Sequence, residues 1–512
     1  MSRTTYAPGL TGAQLAAGLN ADFEKIFRGY IKFAEDYGYS PSANAATNTA
    51  ALQAAVLNGG TIFVRKGIYD MNDTILLDSN TNLIFEPGTK LKKVASYCQV
   101  FLNRGALTAE YNTNITIDGL EILTNGNDPS STLLFGCRAH MGFYCIKNLT
   151  ITNFKLLDGI NLTNAYCFHI TRFENLYMDG IQLTHGKDGI DLYNGHHALI
   201  QNAILETRDD ATALKTIDYP GVIVEIGDVH DITFRNITDR TASGQAVTGQ
   251  FCRAMNCSWA DWESGNMYLI GNLALNNGHL YQVQNCQTTA VKGTVAPTHT
   301  IGEVTGADGI TWRYKNESTV YHADIYNIRF DQITQTKPRI FFAAELYMST
   351  TYLMAVYPGT EALSKIYNVS VTNGNFVKSE SSGFIGSCGN LTDLTLIGNL
   401  IDNAETIFSS ADAVPEFANS TRIVMVGNIL KNTTNFIFYT KAGEAIYLTT
   451  SGNVSENELA FGVAGSTLRM NGTDLTLGAN KRNNLTPEIG DMIKEASGTW
   501  IYKAAGWVNL AV

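Results

Sequence analysis

The feature that most constrains this chain is a short alternating strand followed by a polar turn, which recurs along most of its length. Examples are residues 114–119 (NITIDG), 148–153 (NLTITN) and 394–399 (LTLIGN). Apolar and polar side chains alternate with period two, and Asn, Asp or Gly follows where the chain must turn. Successive copies begin roughly 20 to 40 residues apart, which is typical of one coil of a solenoid plus its loops. The pattern predicts stacked coils rather than a β-sandwich, whose strands would not repeat one signature.

Stacked coils also account for the length of the chain. A chain of 512 residues is longer than one compact domain usually needs. In a solenoid each coil buries its apolar face against the next, so a single fold can grow without a central core. Equivalent positions of successive coils should then lie ~4.8 Å apart, and Asn side chains at the turns should form hydrogen-bonded ladders.

The N-terminal part of the repeat region carries a recognisable order of elements. A short helix is predicted at 48–56, followed by strands within 59–69, 75–77 and 81–85 that are separated by tight turns. Residues 46–94 resemble the entry segment of the pectin-lyase-like β-helix proteins, in which a helix caps the first coil. This resemblance implies an all-β chain folded as a right-handed parallel β-helix with a short N-terminal helix.

Changes in pattern along the chain predict five segments. Residues 1–40 are expected to form a helical attachment or cap segment, because an apolar stripe with helical spacing runs through 9–35 and includes Ile31 and Phe33. The β-helix is expected to occupy 41–258 and 319–478. The insert 259–318 resembles the small β modules of phage tail proteins, and 479–512 resembles a small C-terminal β unit of virion proteins. The aromatic residues of the insert could stack on sugars or could form the core of the module.

Composition and charge exclude several classes of protein. A net charge of −11 without a basic tract argues against nucleic acid as a partner. The absence of an apolar run of membrane-spanning length predicts no membrane segment, and the start of the chain predicts no secretory signal. Eight cysteines without metal-binding or paired spacing predict reduced thiols. We therefore expect a protein made in a cytoplasm, with no cofactor and no bound metal.

Two neighbouring acidic clusters form the candidate catalytic site. Asp188 lies in the segment 186–191 (GKDGID), and Asp209 and Asp210 follow about one coil later in 208–210 (RDD). One-coil spacing places the carboxylates above each other on one face of the helix. Glycoside hydrolysis needs such a pair, one group to protonate the leaving oxygen and one to activate water. Asp-Gly is also a favoured turn pair, so turn chemistry alone is the alternative explanation.

The same two segments resemble the N-T-D-G-[IF]-D and D-D motifs of polygalacturonases, the family 28 glycoside hydrolases. The resemblance implies that Asp209 is the general acid, that Asp188 and Asp210 activate the water, and that hydrolysis inverts the anomeric centre. The G-H-G motif of that family is missing, because the stretch 219–227 that we match to it has Val222 in place of the histidine. An R-I-K motif has no counterpart after residue 236, so galacturonan is not the expected substrate.

Four further polar residues near these motifs are predicted to bind substrate: His185, Lys187, Lys215 and Glu225. Together the observations predict a bacteriophage tailspike that binds and hydrolyses a host cell-surface polysaccharide. We expect a homotrimer in the virion tail, attached through its N-terminus to a baseplate or tail protein. Two alternatives remain open at this stage, a polysaccharide lyase on the same fold and a non-catalytic receptor-binding or structural spike.

Overall fold

The computed structural model describes residues 31–130, 134–136, 138–241, 248–286, 290–346, 364–387, 390–410, 421–433, 435–439, 445–458, 460–463, 467–473, 475–477, 491–495 and 498–510. They form a right-handed parallel β-helix in which each coil adds one strand to each of three columns. The predicted fold class is therefore confirmed.

The first column contains the strands that follow directly after the aspartates of the candidate site. Its members are Ile75–Leu77, Phe101–Asn103, the first halves of Ala139–Thr152 and Tyr166–Asp179, Ile190–Tyr193, Thr212–Lys215, Cys252–Ser258, Phe342–Leu346, Ile385–Ser387, Thr406–Ser410, Asn435–Tyr439 and Ala460–Val463.

The second column follows the first after a bend in each coil. Its members are Ile31–Phe33, Gly60–Val64, Thr81–Phe85, Asn112–Asp118, the second halves of Ala139–Thr152 and Tyr166–Asp179, the first halves of Gly195–Thr207 and Val229–Asp239, Ile325–Asp331, Ile366–Thr372, Asp393–Ile397, Thr421–Val426, Ala445–Ser451 and Thr467–Asn471.

The third column closes each coil and leads back to the first. Its members are Ile68–Met71, Lys90–Lys93, Glu121–Leu123, Lys155–Gly159, Gln182–His185, the ends of Gly195–Thr207 and Val229–Asp239, Thr334–Gln335, Asn375–Ser382, Leu400–Ala404, Ile429–Lys431 and Val454–Ser455. Short 3-10 helices lie at Ala34–Tyr37, Arg104–Leu107 and Leu134–Gly136.

The N-terminal end of the β-helix is closed by the α-helix Ala45–Val56. This helix begins at Asn44, whose side chain accepts a hydrogen bond from the Thr47 N–H, and such a cap satisfies one of the helix's unpaired donors. The predicted helix at 48–56 is confirmed. The predicted helical stripe is wrong at its C-terminal end, because Ile31–Phe33 is a strand that pairs in parallel with 61–63. The rest of that stripe lies outside the described residues.

Aliphatic and aromatic side chains from all three columns fill the interior in one continuous core. The predicted Asn ladders are present on the outside. The side-chain amide of Asn148 donates to Asn114 at 2.8 Å, and that of Asn175 donates to Asn148 at 3.0 Å. These Asn residues have positive φ, a conformation that Asn tolerates better than most residues, so one residue type both makes the bend and joins adjacent coils.

The insert forms its own five-stranded sheet, which is antiparallel except for the parallel pair Ala260–Asp261 and Leu273–Asn276. Its strands, in sheet order, are Ala260–Asp261, Leu273–Asn276, His279–Asn285, Thr311–Glu317 and Glu303–Thr305, with a second pair formed by Met267–Tyr268 and Val291–Lys292. His322–Ala323 then pairs with the end of Cys252–Ser258. Tyr268, Tyr281 and Trp312 are buried together, so these aromatic residues form the core of the module rather than a sugar-stacking surface.

A second small sheet ends the described chain. It contains Thr476–Leu477, Met492–Glu495, Gly498–Lys503 and Gly506–Asn509, which accords with the predicted C-terminal β unit. Within the described residues, no helix is both long and apolar enough to cross a membrane.

Candidate active site

The coil register brings the three predicted aspartates together. Ile190 pairs with Thr212, so one coil has 22 residues here and Asp188 lies directly below Asp210. The Gly189 N–H donates to the carbonyl of Asp210 at 2.9 Å, which fixes this stacking through the backbone. One carboxylate oxygen from each of Asp188, Asp209 and Asp210 lies within 4.8 Å of the other two. The sequence-based expectation that these carboxylates share a face is confirmed.

Lys187 holds Asp209 in its ionised form. Its Nζ donates to Asp209 Oδ2 and lies 3.5 Å from Asp188 Oδ1. Burial alone would raise the pKa of Asp209, but the hydrogen bond and charge of Lys187 lower it below the usual value. The side chains of Asp209 and Lys187 are 22% and 33% exposed. They therefore stand at the solvent-facing side of the cluster, where a ligand can meet them.

Asp210 has the opposite environment. Its side chain is completely buried, and its Oδ1 accepts a hydrogen bond from the Gln250 N–H at 2.7 Å. Burial, together with the negative charge of Asp188, raises the pKa of Asp210 to about 7, although Arg253, whose Nη1 lies 3.4 Å from Oδ2, opposes the rise. Two adjacent aspartates thus have pKa values shifted in opposite directions, which is typical of acid–base sites.

A buried ion pair lies on the inner side of the cluster. Lys215 Nζ donates to Asp191 Oδ2 at 2.7 Å and lies 3.6 Å from Asp188 Oδ2. Burial opposes the charge on Lys215, but Asp191 raises the pKa of this lysine well above its usual value. Its ammonium also faces the ring of Tyr193 at 5.2 Å. Lys215 was predicted to bind substrate, but it is only 1% exposed. Its positive charge instead acts on the aspartates from the interior of the protein.

His185 supports the turn that carries Asp188. Its ring is completely buried against His140, with the two centroids 5.4 Å apart. Nδ1 accepts a hydrogen bond from the Lys187 N–H at 3.2 Å. Burial lowers the pKa of His185 to about 4, so the ring is neutral at pH 7. His185 was predicted to bind substrate, but none of its side chain is exposed, and its ring supports the turn from within.

Glu225 lies apart from the aspartates. Its Oε1 accepts a hydrogen bond from Arg172 Nη1 at 2.7 Å. Both residues line a cavity to which none of the three aspartates contributes. The predicted role of Glu225 at the aspartate cleft is therefore not supported, because the chain leaves the β-helix after Thr216 and carries Glu225 to the far end of the first column.

The structure also corrects the position that was matched to the family histidine. The coil after Asp210 begins at Gln250, because the Ala211 N–H donates to the carbonyl of Gln250 at 3.0 Å. Gln250, and not Val222, therefore stacks on Asp210. Val222 packs in an apolar cluster with Phe135 and Tyr144. The stretch 219–227 belongs to a segment that crosses the outside of the first column.

This covering segment, residues 216–228, joins the insert to the site. On its inner side, Asp218 Oδ2 lies 2.6 Å from the Nε2 of buried His169. On its outer side, the Lys315 ammonium donates to the carbonyl of Val222 at 2.9 Å, and the Gln282 amide donates to the carbonyl of Asp218 at 3.2 Å. The module therefore holds the segment against the sheet that carries Asp191 and Lys215.

Sequence reasoning missed several polar residues around the aspartates. Arg253 and Glu345 form an ion pair at 3.2 Å and are 27% and 22% exposed, so they extend the accessible part of the cleft. Arg339 makes two hydrogen bonds to buried Asp239 and one to the backbone carbonyl of Asp209. Only the coil register identifies these residues, because long excursions separate them from the aspartates in sequence.

Three carboxylates this close could in principle hold a cation. Lys187, Lys215 and Arg253, however, already lie within 4 Å of one or more of these carboxylates. The arrangement is therefore better suited to sharing protons than to binding a metal, whose charge the three cations would oppose.

Comparison with known proteins gives neighbours by structure only. No family model matches the chain, and no curated protein matches it in sequence. The A-module of the mannuronan C-5 epimerase AlgE4 from Azotobacter vinelandii superimposes with a TM-score of 0.52 at 12% identity, covering 87% of this chain and 99% of its own. The AlgE6 A-module from the same organism gives 0.51 at 12%, covering 85% and 99%.

A third neighbour is the tailspike protein of the E. coli bacteriophage HK620 in complex with a pentasaccharide. It superimposes with a TM-score of 0.50 at 12% identity, covering 92% of this chain and 79% of its own. Identities this low show the fold and no more. On the fold the structures agree, and this chain has a right-handed parallel β-helix architecture.

Proposed function

We propose that this protein binds a polysaccharide and hydrolyses it at Asp188, Asp209 and Asp210. The observation that carries the proposal is the close approach of three carboxylates, of which one is held ionised and another has a pKa near neutrality. Turn chemistry explains an Asp-Gly pair, but it does not require three carboxylates within 4.8 Å of one another.

The negative charges of Asp188 and Asp209 both act on Asp210 and favour its protonated form. Burial and the charge of Asp188 raise the pKa of Asp210 to about 7, so this carboxyl can carry a proton near neutral pH, whereas Lys187 lowers the pKa of Asp209 and keeps it ionised. Asp209 is the most exposed of the three and is therefore the group that meets the glycosidic oxygen. When substrate displaces Lys187, the pKa of Asp209 rises and the proton moves from Asp210 to Asp209.

The chemical step then follows from these positions. Asp209 gives its proton to the leaving glycosidic oxygen, while Asp188 and the now ionised Asp210 orient a water and accept one of its protons. The C–O bond of the glycoside breaks as the water oxygen bonds to the anomeric carbon. The carboxylates lie within 4.8 Å of one another, which is closer than the ~6.5–9.5 Å usual in inverting enzymes. We nevertheless expect inversion, because in the polygalacturonase-like arrangement Asp188 and Asp210 together hold the water opposite the acid, and a single displacement from that face inverts the carbon.

The electrostatics favour a hydrolase over a lyase. A lyase needs a neutral base to remove a proton beside a uronate. Burial disfavours charge on both Lys187 and Lys215, but neighbouring aspartates raise the pKa of each, so both remain protonated. His185 is neutral but completely buried.

We further propose that the protein is a phage tailspike acting on a host surface polysaccharide as a homotrimer. The tailspike among the structural neighbours is bound to a pentasaccharide, which supports a saccharide ligand for this architecture. Support for self-association comes from apolar side chains exposed on the C-terminal coils, namely Ile397, Val424, Val426, Ile429 and Val454. Exposed apolar patches on soluble proteins commonly mark interfaces.

The test is digestion of bacterial capsular and O-antigen polysaccharides, followed by two assays on the same sample. A hydrolase gives new reducing ends without ultraviolet absorbance from an unsaturated sugar. A lyase gives both signals, and a non-catalytic spike gives neither while still binding. Reducing ends that appear with the wild-type chain and not with Asp209→Asn would support the proposal.

A further inference from the structure

The ladder of Asn residues on the second column is broken at two adjacent rungs. Its lower rungs are Asn114, Asn148 and Asn175, and its upper rungs are Asn327 and Asn368, all with φ between 52° and 61°. The coil register places His197 and Asp231 at the same bend, between the two groups.

The presence of His197 and Asp231 in place of Asn removes one hydrogen bond from the ladder. Asn327 donates to Asp231 at 2.8 Å, but His197 Nε2 approaches Asp231 Oδ2 only to 3.6 Å, beyond hydrogen-bonding distance. Asn would fit both bends and could continue the amide chain. The neighbouring bend of the same coils shows a related exception, because Arg172 adopts φ 48°, a conformation uncommon for arginine. Several residues that depart from the usual sequence or backbone preference at one place often mark a functional site.

These three exceptions surround two adjoining surface cavities. The first, of about 320 Å³, is lined by Tyr111, Arg172, Glu225, Asp228, His196 and His230. The second, of about 440 Å³, is lined by residues that include Asn175, Tyr177, His197 and Asp231. The lining residues of the two cavities are neighbours at the pairs 196–197 and 230–231, and we refer to the two adjoining cavities together as the flank groove. Each volume is in the range of small-molecule sites.

The groups in the flank groove suit a hydroxyl-rich ligand. Arg172 is paired with Glu225 and packs over the Tyr111 ring at 5.0 Å, so it offers no unpaired positive charge. Asp228 and Asp231 leave an excess of acid, which disfavours a polyanion. The imidazoles, carboxylates and Asn amides provide alternating donors and acceptors, and Tyr111 is 40% exposed. Because Lys147 Nζ and the Arg172 guanidinium lie 4.8 Å and 5.0 Å from the Tyr111 ring centroid, the preference for a neutral or amino sugar rests on the hydrogen-bonding groups, which suit sugar hydroxyls.

We propose that the flank groove is a second saccharide-binding site, which holds a neutral or amino-sugar stretch of the polysaccharide away from the aspartates. The strand Ile190–Tyr193 separates the two sites, because Asp188 precedes it and Asn194 follows it. Six residues of extended chain place them roughly 20 Å apart. The choice of a polysaccharide as ligand rests on the proposed function, but the groove does not depend on cleavage.

The broken ladder supplies the test variants. His197→Asn and Asp231→Asn, combined in one chain, restore the residue that the ladder uses elsewhere, so the variant should melt at the same temperature as its parent or higher. Tyr111→Ala changes the other end of the groove. Tyr447→Ala is its control, because Tyr447 is also 40% exposed but lies on a distant coil. All variants carry Asp209→Asn, so that bound glycan is not cleaved.

Binding is measured on an array of bacterial capsular and O-antigen polysaccharides, and then by calorimetry with the polysaccharide that the parent binds. We expect about tenfold or greater loss of affinity for the ladder-restoring variant and for Tyr111→Ala, with Tyr447→Ala unchanged. Affinities within about twofold of the parent for both groove variants would overturn the proposal. So would a parent that binds no polysaccharide on the array.

The result is separable from the proposed hydrolysis. If the wild-type chain releases no reducing ends but the groove variants still lose binding, the groove stands and hydrolysis fails. If cleavage depends on Asp209 but the groove variants bind normally, hydrolysis stands and the groove fails. If the ladder-restoring variant melts early, Tyr111→Ala decides the question.

Discussion

Replacing Asp209 by Asn separates a catalytic from a structural role for the exposed aspartate. Asn has nearly the same shape and can still accept a hydrogen bond from Lys187, but it cannot deliver a proton. Loss of a general acid costs about 10²–10⁴-fold in rate. We therefore expect the rate of reducing-end release by Asp209→Asn to fall by that factor, while its binding of the polysaccharide is retained.

The structure also sets the expected effect on stability. The Asp209–Lys187 pair is partly exposed, and exposed pairs typically contribute about 1 kcal/mol or less. The contact of Arg339 is made to the backbone carbonyl of Asp209, which the substitution leaves in place. The free energy of unfolding should therefore change by less than about 1 kcal/mol, and the melting temperature by no more than a few degrees.

The assay compares initial rates at saturating polysaccharide, corrected for the folded fraction from thermal melts. Asp393→Asn is the matched control, because Asp393 is also a partly exposed aspartate in an ion pair, with Arg422, on a later coil of the second column. It should keep full activity. If Asp209→Asn melts early and its activity per folded molecule equals that of the wild type, the aspartate is structural and the reasoning is refuted.

Three further predictions concern the pH dependence of activity, the stability of the β-helix and the oligomeric state. Because Asp210 has a raised pKa of about 7, the shared proton is present below that pH and is lost above it, so activity should fall as the pH rises through about 7; a pH–rate profile without this limb would contradict the assignment. Arg339→Gln removes the ion-pair partner of buried Asp239, which keeps a hydrogen bond from the Gln335 amide. It should lower stability by about 3–5 kcal/mol in thermal or denaturant unfolding, and an unchanged melt would show that the ion pair is dispensable. Light scattering at micromolar concentration should give three times the chain mass, and a stable monomer would exclude the trimer.

Much of the fold could be predicted because the responsible signals are local. Period-two alternation and polar bends recur along the described coils, and the Asn residues at the bends form the ladder. The one-coil spacing between Asp188 and Asp210 was predictable for the same reason, since 22 residues hold no excursion. The helix Ala45–Val56 was predictable because its capping residue Asn44 and its apolar residues are close together in the sequence.

The rest of the site depends on long-range register and on burial. The coil that follows Asp210 is 40 residues long and reaches the equivalent position at Gln250. A shorter spacing was assumed from the sequence, and it pointed to Val222, which lies in the covering segment. Burial of His185 and Lys215 follows from packing by other coils, which a linear sequence does not show. Ile31 and Phe33 have helical spacing, but edge pairing with the first coil makes them a strand.

The most direct test of the central claim is proton NMR of the first products released from a cleaved surface polysaccharide. We expect new reducing ends whose anomeric configuration is inverted relative to the substrate before mutarotation, with no signals from an unsaturated sugar. Unsaturated products would contradict hydrolysis, and a retained configuration would contradict the assignment of Asp188 and Asp210 to the attacking water.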